Sequence, residues 1–449
     1  MKKNTSIKQL NPEERIHNYD EVVLGYTKQE AINEANRCLN CINKPCVNGC
    51  PIHNDIPNFI SKIKEGNFED AYKIISVNSP IPSICSRVCP HEEQCQKNCT
   101  RGIRSEAICI GALERYVSDN FYLKQSKKSS NNHKISVVGS GPSGLACAKQ
   151  LVLLGYDVTI IEEKNILGGI LTYGIPEFRL PKKVVEKEIN KIINLGVHIK
   201  LNTKLGKDVT IEELLNEYEC VYIAIGTSES KLMNIPGEEL QGFYNANDFL
   251  FEANINTNKF KEIIKDKKVI VVGGGNVAMD VARSAIRLEA KKVDIVYRRS
   301  LEEMPASKDE LNQTMEEHVT INYLVNPIRI NQKDGKVCSI SCVRMKLGEI
   351  DYSERRRPIE IKDSEFDMEA DIVIEAISSK VELNAIKGIT LNKYNYPITD
   401  ENGKTNIERV YAGGDVVDGP STVINAVKKG KIVADSIHRY LNNVIFVEE

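Results

Sequence analysis

A β-branched run, a glycine turn and a helical pattern follow one another twice in this chain, and no other feature restricts the fold as much. The first copy reads ISVVG from Ile135, then SGLACAKQLVLLG, then VTIIEE. The second reads KVIVVGGG, then NVAMDVARSAIRLEA, then KVDIVYRRS. Strand, helix and strand in this order predict a β–α–β unit with parallel strands. Two such copies predict two dinucleotide-binding domains.

The first turn is Gly139-Ser-Gly141-Pro-Ser-Gly144. Glycine at these places tightens the turn, lets backbone approach a pyrophosphate, and lets the helix pack on the strand. Glu162, at the end of the following strand, is placed to bind ribose hydroxyls. A lone G-x-G-x-x-G can be an ordinary glycine turn; the strand before, the helix after and the acid favour the nucleotide. The second turn is Gly273-Gly-Gly275-Asn276-Val-Ala278, with alanine as the accepted third residue. Its second strand ends in Tyr297-Arg298-Arg299-Ser300 with no acid. A carboxylate would repel a 2′-phosphate and a guanidinium would bind it, so the pair predicts NADP rather than NAD. The plainer alternative is a solvated arginine pair. Near the C-terminus, VYAGGDVVDGPSTVINAVKKGK joins a strand to a helix through glycines and Asp415.

Nine of the thirteen cysteines lie between Cys38 and Cys109. The N-terminus has a basic start with no apolar core behind it, and no run approaches a membrane span, so a cytoplasmic protein is expected. The cytosol keeps thiols reduced, which leaves metal or redox chemistry as the reading of a clustered set. The groups are Cys38-x2-Cys41-x4-Cys46-x3-Cys50-Pro and Cys85-x3-Cys89-Pro-x4-Cys95-x3-Cys99. Trailing Cys-Pro pairs suit iron–sulfur clusters, although neither spacing matches a ferredoxin letter for letter, and zinc is the alternative. A net charge of −2 gives no reason to expect nucleic acid or an anionic membrane as partner.

Between the groups, Ile56, Phe59, Ile60, Ile63 and then Phe68, Ala71, Ile74, Ile75 repeat at helical spacing, broken at Gly66 and Asn67. KQSKKSSNNHK, residues 124–134, reads as a linker. The fold class is thus α/β: two Rossmann-like domains preceded by an α-helical domain. The expected boundaries are 1–132 for the helical domain, 133–250 and 373–449 for a discontinuous first nucleotide domain, and 251–372 for the second.

The motifs CLNCINKPCVNGCP, CSRVCPHEEQCQKNC, VVGSGPSG, GGILTYGIPEFRLPK, VVGGGNVAMD, YRRSLEEMPA and YAGGDVVDGPSTV stand in one order. This set resembles the small (β) subunit family of NADPH-dependent glutamate synthase over nearly the whole chain. It is similar too to the homotetrameric glutamate synthase, to the N-terminal part of dihydropyrimidine dehydrogenase, and to the large subunit of NADH-dependent ferredoxin:NADP oxidoreductase. The resemblance implies FAD in the first nucleotide domain, NADPH in the second, and two [4Fe–4S] clusters in the helical domain. It implies that Cys38, Cys41, Cys46 and Cys99 hold one cluster. Cys50, Cys89, Cys95 and Glu114 would hold the other, leaving Cys85 as a spectator or a replacement ligand and Cys109 as packing. The loop from Gly168 and Gly169 to Pro176 would lie along the flavin, Asp415 would bind its ribityl chain, and Thr422 would sit by its ring system. Glu303 matches a motif without an assignable role, and Arg355, Arg356 and Arg357 read as a solvated turn. Relatives carry Ala-Ile-Gly where this chain has Ala376-Ile377-Ser378-Ser379, which puts packing at that junction in doubt.

The implied activity moves electrons from NADPH through FAD to the clusters, with no separate acid–base residue needed. The chain starts Met1-Lys2-Lys3 and leaves no residues for an amidotransferase or a barrel. An electron-accepting partner is therefore expected: an amidotransferase-type large subunit forming glutamate, a ferredoxin or flavoprotein subunit, or a self-associated copy. A non-enzymatic assembly scaffold is the alternative from another class.

Overall fold

The computed structural model describes residues 3–351 and 354–442, so the expected end of the last domain at 449 lies outside the described residues. Strands Lys134–Val138 and Asp157–Ile161 flank helix Pro142–Leu153, and strands Lys268–Val272 and Lys292–Tyr297 flank helix Asn276–Arg287. Both predicted β–α–β units are present with parallel pairing, Val138 opposite Ile161 and Val272 opposite Val296.

The first sheet has five parallel strands in the order Val410–Ala412, Cys220–Ile223, Lys134–Val138, Asp157–Ile161, His198–Lys200. Its strands are apolar on both faces because both are covered. Ile135, Val137 and Tyr222 pack on one side with helices Pro142–Leu153, Lys182–Ile193 and Val423–Leu441. Val138, Val221 and Ile223 pack on the other with Leu214 and Ile386. The second sheet, also parallel, runs Thr320–Tyr323, Lys292–Tyr297, Lys268–Val272, Ile372–Glu375, Phe243–Asn245. An antiparallel sheet built on Val325–Lys333 and Lys336–Ile350 covers one face of it.

The domain junction differs from the expected boundaries at 250 and 372. Phe243–Asn245 and Ile372–Glu375 pair with each other inside the second sheet. The chain crosses between domains at an antiparallel pair, Glu229–Ser230 with Ser379–Lys380. Three residues as short as Phe243–Asn245 carry no period of their own, so pairing alone assigns them. The serines that replace Ala-Ile-Gly are accommodated here: Ser379 Oγ and Thr227 Oγ1 share a hydrogen bond of 2.7 Å, and Ser378 is exposed.

In the N-terminal region the two expected helices are Ile56–Lys64 and Phe68–Asn78. Gly66, at φ +75°, turns the chain between them, and Asn67 caps the second by accepting the Asp70 amide at 3.2 Å. Phe59, Ile60, Ile63, Ala71 and Ile75 bury one face against Leu113 and Val117 of helix Ile110–Asn120. Each large side chain buried in this way stabilises by about 1.5–3 kcal/mol. No helix among the described residues is long and apolar enough to cross a membrane.

A buried ion network ties the three parts together. Glu317, fully buried, receives Arg15 Nε at 2.7 Å, Arg283 at 2.9 and 3.1 Å, and Arg287 at 2.6 and 3.1 Å. Arg179, in the loop that follows Pro176, binds Asp280 and Glu310 at 2.7 Å each. Beside it, the Phe178 ring lies 3.9 Å from the Arg287 guanidinium and 4.7 Å from that of Arg283. The N-terminal segment, the first nucleotide domain and the second thus meet on one set of charges.

Candidate functional site

The two glycine turns are built alike. Gly139 has φ +103°, and a Cβ there would stand 2.4 Å from the Ala224 carbonyl oxygen; Gly273 has φ +154° and would meet the Ala376 carbonyl oxygen at 2.3 Å. Only glycine lets the chain run so close to the next strand. Two residues on, Gly141 and Gly275 face open space, where a Cβ meets nothing within 4 Å. Each is the N-cap of a 12-residue helix with no side-chain cap, so the first amides stay free. A cradle of free amides that a side chain would fill fits the diphosphate of a dinucleotide. Gly144 closes the first turn against the Gly139 carbonyl, and Ala278 is buried at the matching place in the second.

Glu162 is buried at the end of its strand and braces the first turn. It accepts the Ser140 amide at 3.0 Å, the Ser140 hydroxyl at 2.6 Å and the Lys164 amide at 3.0 Å. The Ser140 hydroxyl also accepts the Gly168 amide at 2.9 Å. Gly169 comes so near that its Cβ would lie 3.0 Å from Gly141 Cα, which brings the loop onto the glycine turn. From the C-terminal segment, Gly414 abuts Ser143 and places Asp415 beside the same helix. Burial raises the Asp415 carboxyl to about 7, against a hydrogen bond from the Ser421 backbone. Thr422 caps the helix Val423–Leu441, accepting the Asn425 amide at 3.4 Å. Gly139, Gly141, Gly144, Glu162, Gly169 and Asp415 are therefore gathered at one edge of the first sheet.

At the second sheet the arginine pair divides. Arg298 is exposed with no partner among the described residues. Arg299 is buried, donating to the Arg356 carbonyl at 2.8 Å and to Asp351 at 2.7 Å. The turn expected to be solvated folds back here: Arg355 and Arg299 lie beside Tyr297, and Arg356 pairs with Glu302 and Glu303. That pairing, with a hydrogen bond from the Ser300 hydroxyl, gives Glu303 a structural place. Asn276 ties its helix to the loop beyond, its Oδ1 accepting the Ser307 amide at 2.9 Å. Sequence reasoning missed Arg355 as part of this corner, because 58 residues and a strand hairpin separate it from Tyr297. It missed Glu375 too, whose two carboxylate oxygens are buried without partners at the sheet's carboxyl edge.

Among the described residues no three His, Cys, Asp or Glu side chains converge tightly enough for a single metal ion. What the fold makes instead is a hollow. Cys38, Cys41, Cys46 and Cys99 line it together with Ile56, Ile60, Ile108, Ile110, Thr100 and Arg101, and it opens to the surface. A four-iron cluster is a body several ångströms across, so its ligands stand around a space rather than meeting at a point. Four thiols around one hollow match the ligand count of such a cluster. The remaining cysteines form a second group. Burial lifts the thiols of Cys50, Cys89 and Cys95, and each also feels the Glu114 carboxylate. Glu114 is itself buried and pushed to about 8. Cys85 belongs to this group as well: its carbonyl accepts the Cys89 amide at 3.1 Å, and it lies in the core of the first nucleotide domain. Cys109 is buried, its amide donating to Glu34 at 3.0 Å.

Residues 133–430 match the pyridine nucleotide-disulphide oxidoreductase family. The chain belongs to that family. As a pyridine nucleotide-disulphide oxidoreductase it carries FAD- and NAD(P)H-binding domains in an oxidoreductase fold. Residues 15–126 match a second description, dihydropyrimidine dehydrogenase domain II, 4Fe-4S cluster. The chain is 38% identical to an NADP(+)-dependent formate dehydrogenase subunit beta of Moorella thermoacetica, over 89% of its own length and 60% of that protein's. It is 38% identical to an NADPH-Fe(3+) oxidoreductase subunit beta of Geobacter sulfurreducens, over 90% and 65%. It is 33% identical to the Escherichia coli glutamate synthase [NADPH] small chain, over 94% and 93%. The chain thus spans less than two thirds of the first two relatives and nearly all of the third. In fold, a solved Mycobacterium tuberculosis FprA in complex with NADPH superposes with a TM-score of 0.61 at 22% identity, over 69% of this chain and 85% of that one.

Proposed function

We propose that this oxidoreductase passes electrons from NADPH through FAD to two [4Fe–4S] clusters and on to an electron-accepting partner subunit that forms glutamate. The observation that carries this reading is the repeated open cradle at Gly141 and Gly275, joined to a four-thiol hollow in one chain. FAD supplies hydride acceptance and the clusters supply one-electron steps; the chain's residues bind, orient and exclude water. Gly139, Gly141 and Gly144 approach the FAD diphosphate, with Glu162 turned toward its ribose, Gly169 along the flavin, Asp415 at the ribityl chain and Thr422 at the ring system. Gly273, Gly275 and Asn276 take the NADPH diphosphate, and Arg298, the free member of its pair, takes the 2′-phosphate. Cys38, Cys41, Cys46 and Cys99 hold one cluster, and Cys50, Cys89, Cys95 and Glu114 the other.

Anaerobic purification tests this directly. The expected protein is brown, with roughly eight irons and one FAD per chain, and NADPH bleaches it. Cys38→Ser should bring the iron down to about half, since one cluster of two loses a ligand. A colourless protein holding zinc would sink the reading. Arg298→Ala is expected to cut the preference for NADPH over NADH about tenfold or more, the loss of a charge-assisted contact of ~1.5–3 kcal/mol. Comparing kcat/KM for the two nucleotides reads this out. Arg299→Ala should instead lower stability, because the buried bonds from Arg299 to the Arg356 carbonyl and to Asp351 are lost.

A second reading keeps the same path and changes the acceptor to a ferredoxin or flavoprotein subunit. It is favoured by the loop ending Phe178-Arg179-Leu180-Pro181-Lys182, which resembles that branch and in this structure carries the interdomain ion network. Assaying the chain with NADPH, 2-oxoglutarate and glutamine or ammonia, beside NAD and ferredoxin, separates the two.

A further inference from the structure

The hollow lined by Cys38, Cys41, Cys46 and Cys99 has a cation in its wall. Arg101, two residues beyond Cys99, lines it, and the Arg101 Nε is buried with no hydrogen-bond partner. A buried guanidinium N–H without an acceptor is costly, so a site that keeps one is shaped for something it can donate to. A second cation stands nearby: the Lys64 ammonium donates to the Cys38 carbonyl at 2.8 Å. Thr100 adds its hydroxyl, 3.4 Å from the Cys41 sulfur.

The second cysteine group is charged the other way. A buried carboxyl, Glu114, stands there where the hollow has a guanidinium. The two groups adjoin, since Cys95 and Cys50 pack in the same N-terminal core as Cys38, Cys46 and Cys99. The Glu114 group also packs on the core of the first nucleotide domain through Cys50, Cys85 and Cys89. The hollow packs in the N-terminal core, with Leu39 exposed at its rim.

Reducing a cluster adds negative charge, so donors and cations at its sulfurs raise its potential and a neighbouring carboxylate lowers it. We propose that Arg101 is the charge-compensating residue of the hollow, donating its Nε–H toward the bound cluster and making that cluster the higher-potential member of the pair. The cluster of the Glu114 group, packed on the first nucleotide domain, would then be the lower-potential one and that of the hollow the higher. This rests on the iron–sulfur reading given above.

The test is an EPR-monitored redox titration of the anaerobic holoenzyme and its Arg101→Gln variant, with iron counted in both. A Cys38→Ala protein, stripped of the hollow's cluster, assigns the signals. The expected result is full iron in Arg101→Gln, with the midpoint of the hollow's cluster lowered by at least 59 mV, tenfold in the one-electron equilibrium, and the other cluster unmoved. Arg101→Lys, which keeps the charge and loses the fork, should move it less than Arg101→Gln. Should Arg101→Gln hold only half its iron, the lysine variant carries the measurement, with a lowered midpoint expected. A hollow cluster that stays within 59 mV in every iron-replete variant, or a shift confined to the Glu114-side cluster, overturns the proposal. A wild-type protein without iron would instead refute the iron–sulfur reading itself.

Discussion

Replacing Glu317 by alanine is expected to destabilise the fold by about 3–5 kcal/mol, the usual cost of leaving buried partner charges unpaired. Three guanidiniums, from Arg15, Arg283 and Arg287, close on this one carboxylate, and none has water to turn to. Urea or thermal unfolding followed by the transition of the second nucleotide domain would show it. A variant within 0.5 kcal/mol of the parent would show that the network is not structural. The same group sets an acid limit. Burial opposes its charge, but the hydrogen bond from Arg287 and the field of Arg283 prevail and hold the carboxyl at about 2. An unfolded glutamate titrates near ~4.3. The folded pKa is the lower one, so the stabilisation is complete above about pH 4.3 and is lost as pH falls toward about 2.

The second large effect concerns the cradles. Gly141→Val is expected to empty the flavin site, at least a tenfold fall in FAD content, while far-UV circular dichroism stays that of the parent. Gly141 has φ −68° and ψ −178°, a conformation open to any residue, and its Cβ would enter open space with nothing within 4 Å. Gly144→Val should fail differently, since its Cβ would lie 2.0 Å from the Gly139 carbonyl oxygen and the turn itself cannot form. Gly275→Val should retain FAD and its yellow absorbance yet lose reduction by NADPH, which stopped-flow absorbance at the flavin band measures. A Gly141→Val protein with full flavin would overturn the placement of the first cradle.

Both cradles were legible in the sequence because everything that makes them is local. Strand, turn glycines and helix lie within about 25 residues, and each glycine's position states the backbone it serves. The helices around Gly66 were legible for the same reason. The arginine corner was half legible: position identified Arg298 and Arg299 alike, but only three-dimensional pairing commits Arg299 to Asp351 and frees Arg298. The Glu317 network was not legible at all. Arg15 and Glu317 lie 302 positions apart, and nothing in the composition of either segment says which charges will be buried together. The strand Phe243–Asn245 was missed because three residues hold no period, and its partner Ile372–Glu375 reads as the end of another element.

Gly430 packs so tightly on the first fingerprint helix that a Cβ would stand 2.1 Å from the Ser143 carbonyl oxygen, and Val410–Ala412 is the edge strand of the same sheet. The second nucleotide domain is contiguous by comparison, its sheet running from Phe243 to Glu375. On a ribosome, then, the inner domain can be finished while the outer one still lacks a strand and its longest helix. Flavin uptake becomes a checkpoint on completed synthesis: a chain cut short before residue 410 would fold its middle and stay colourless at its FAD site.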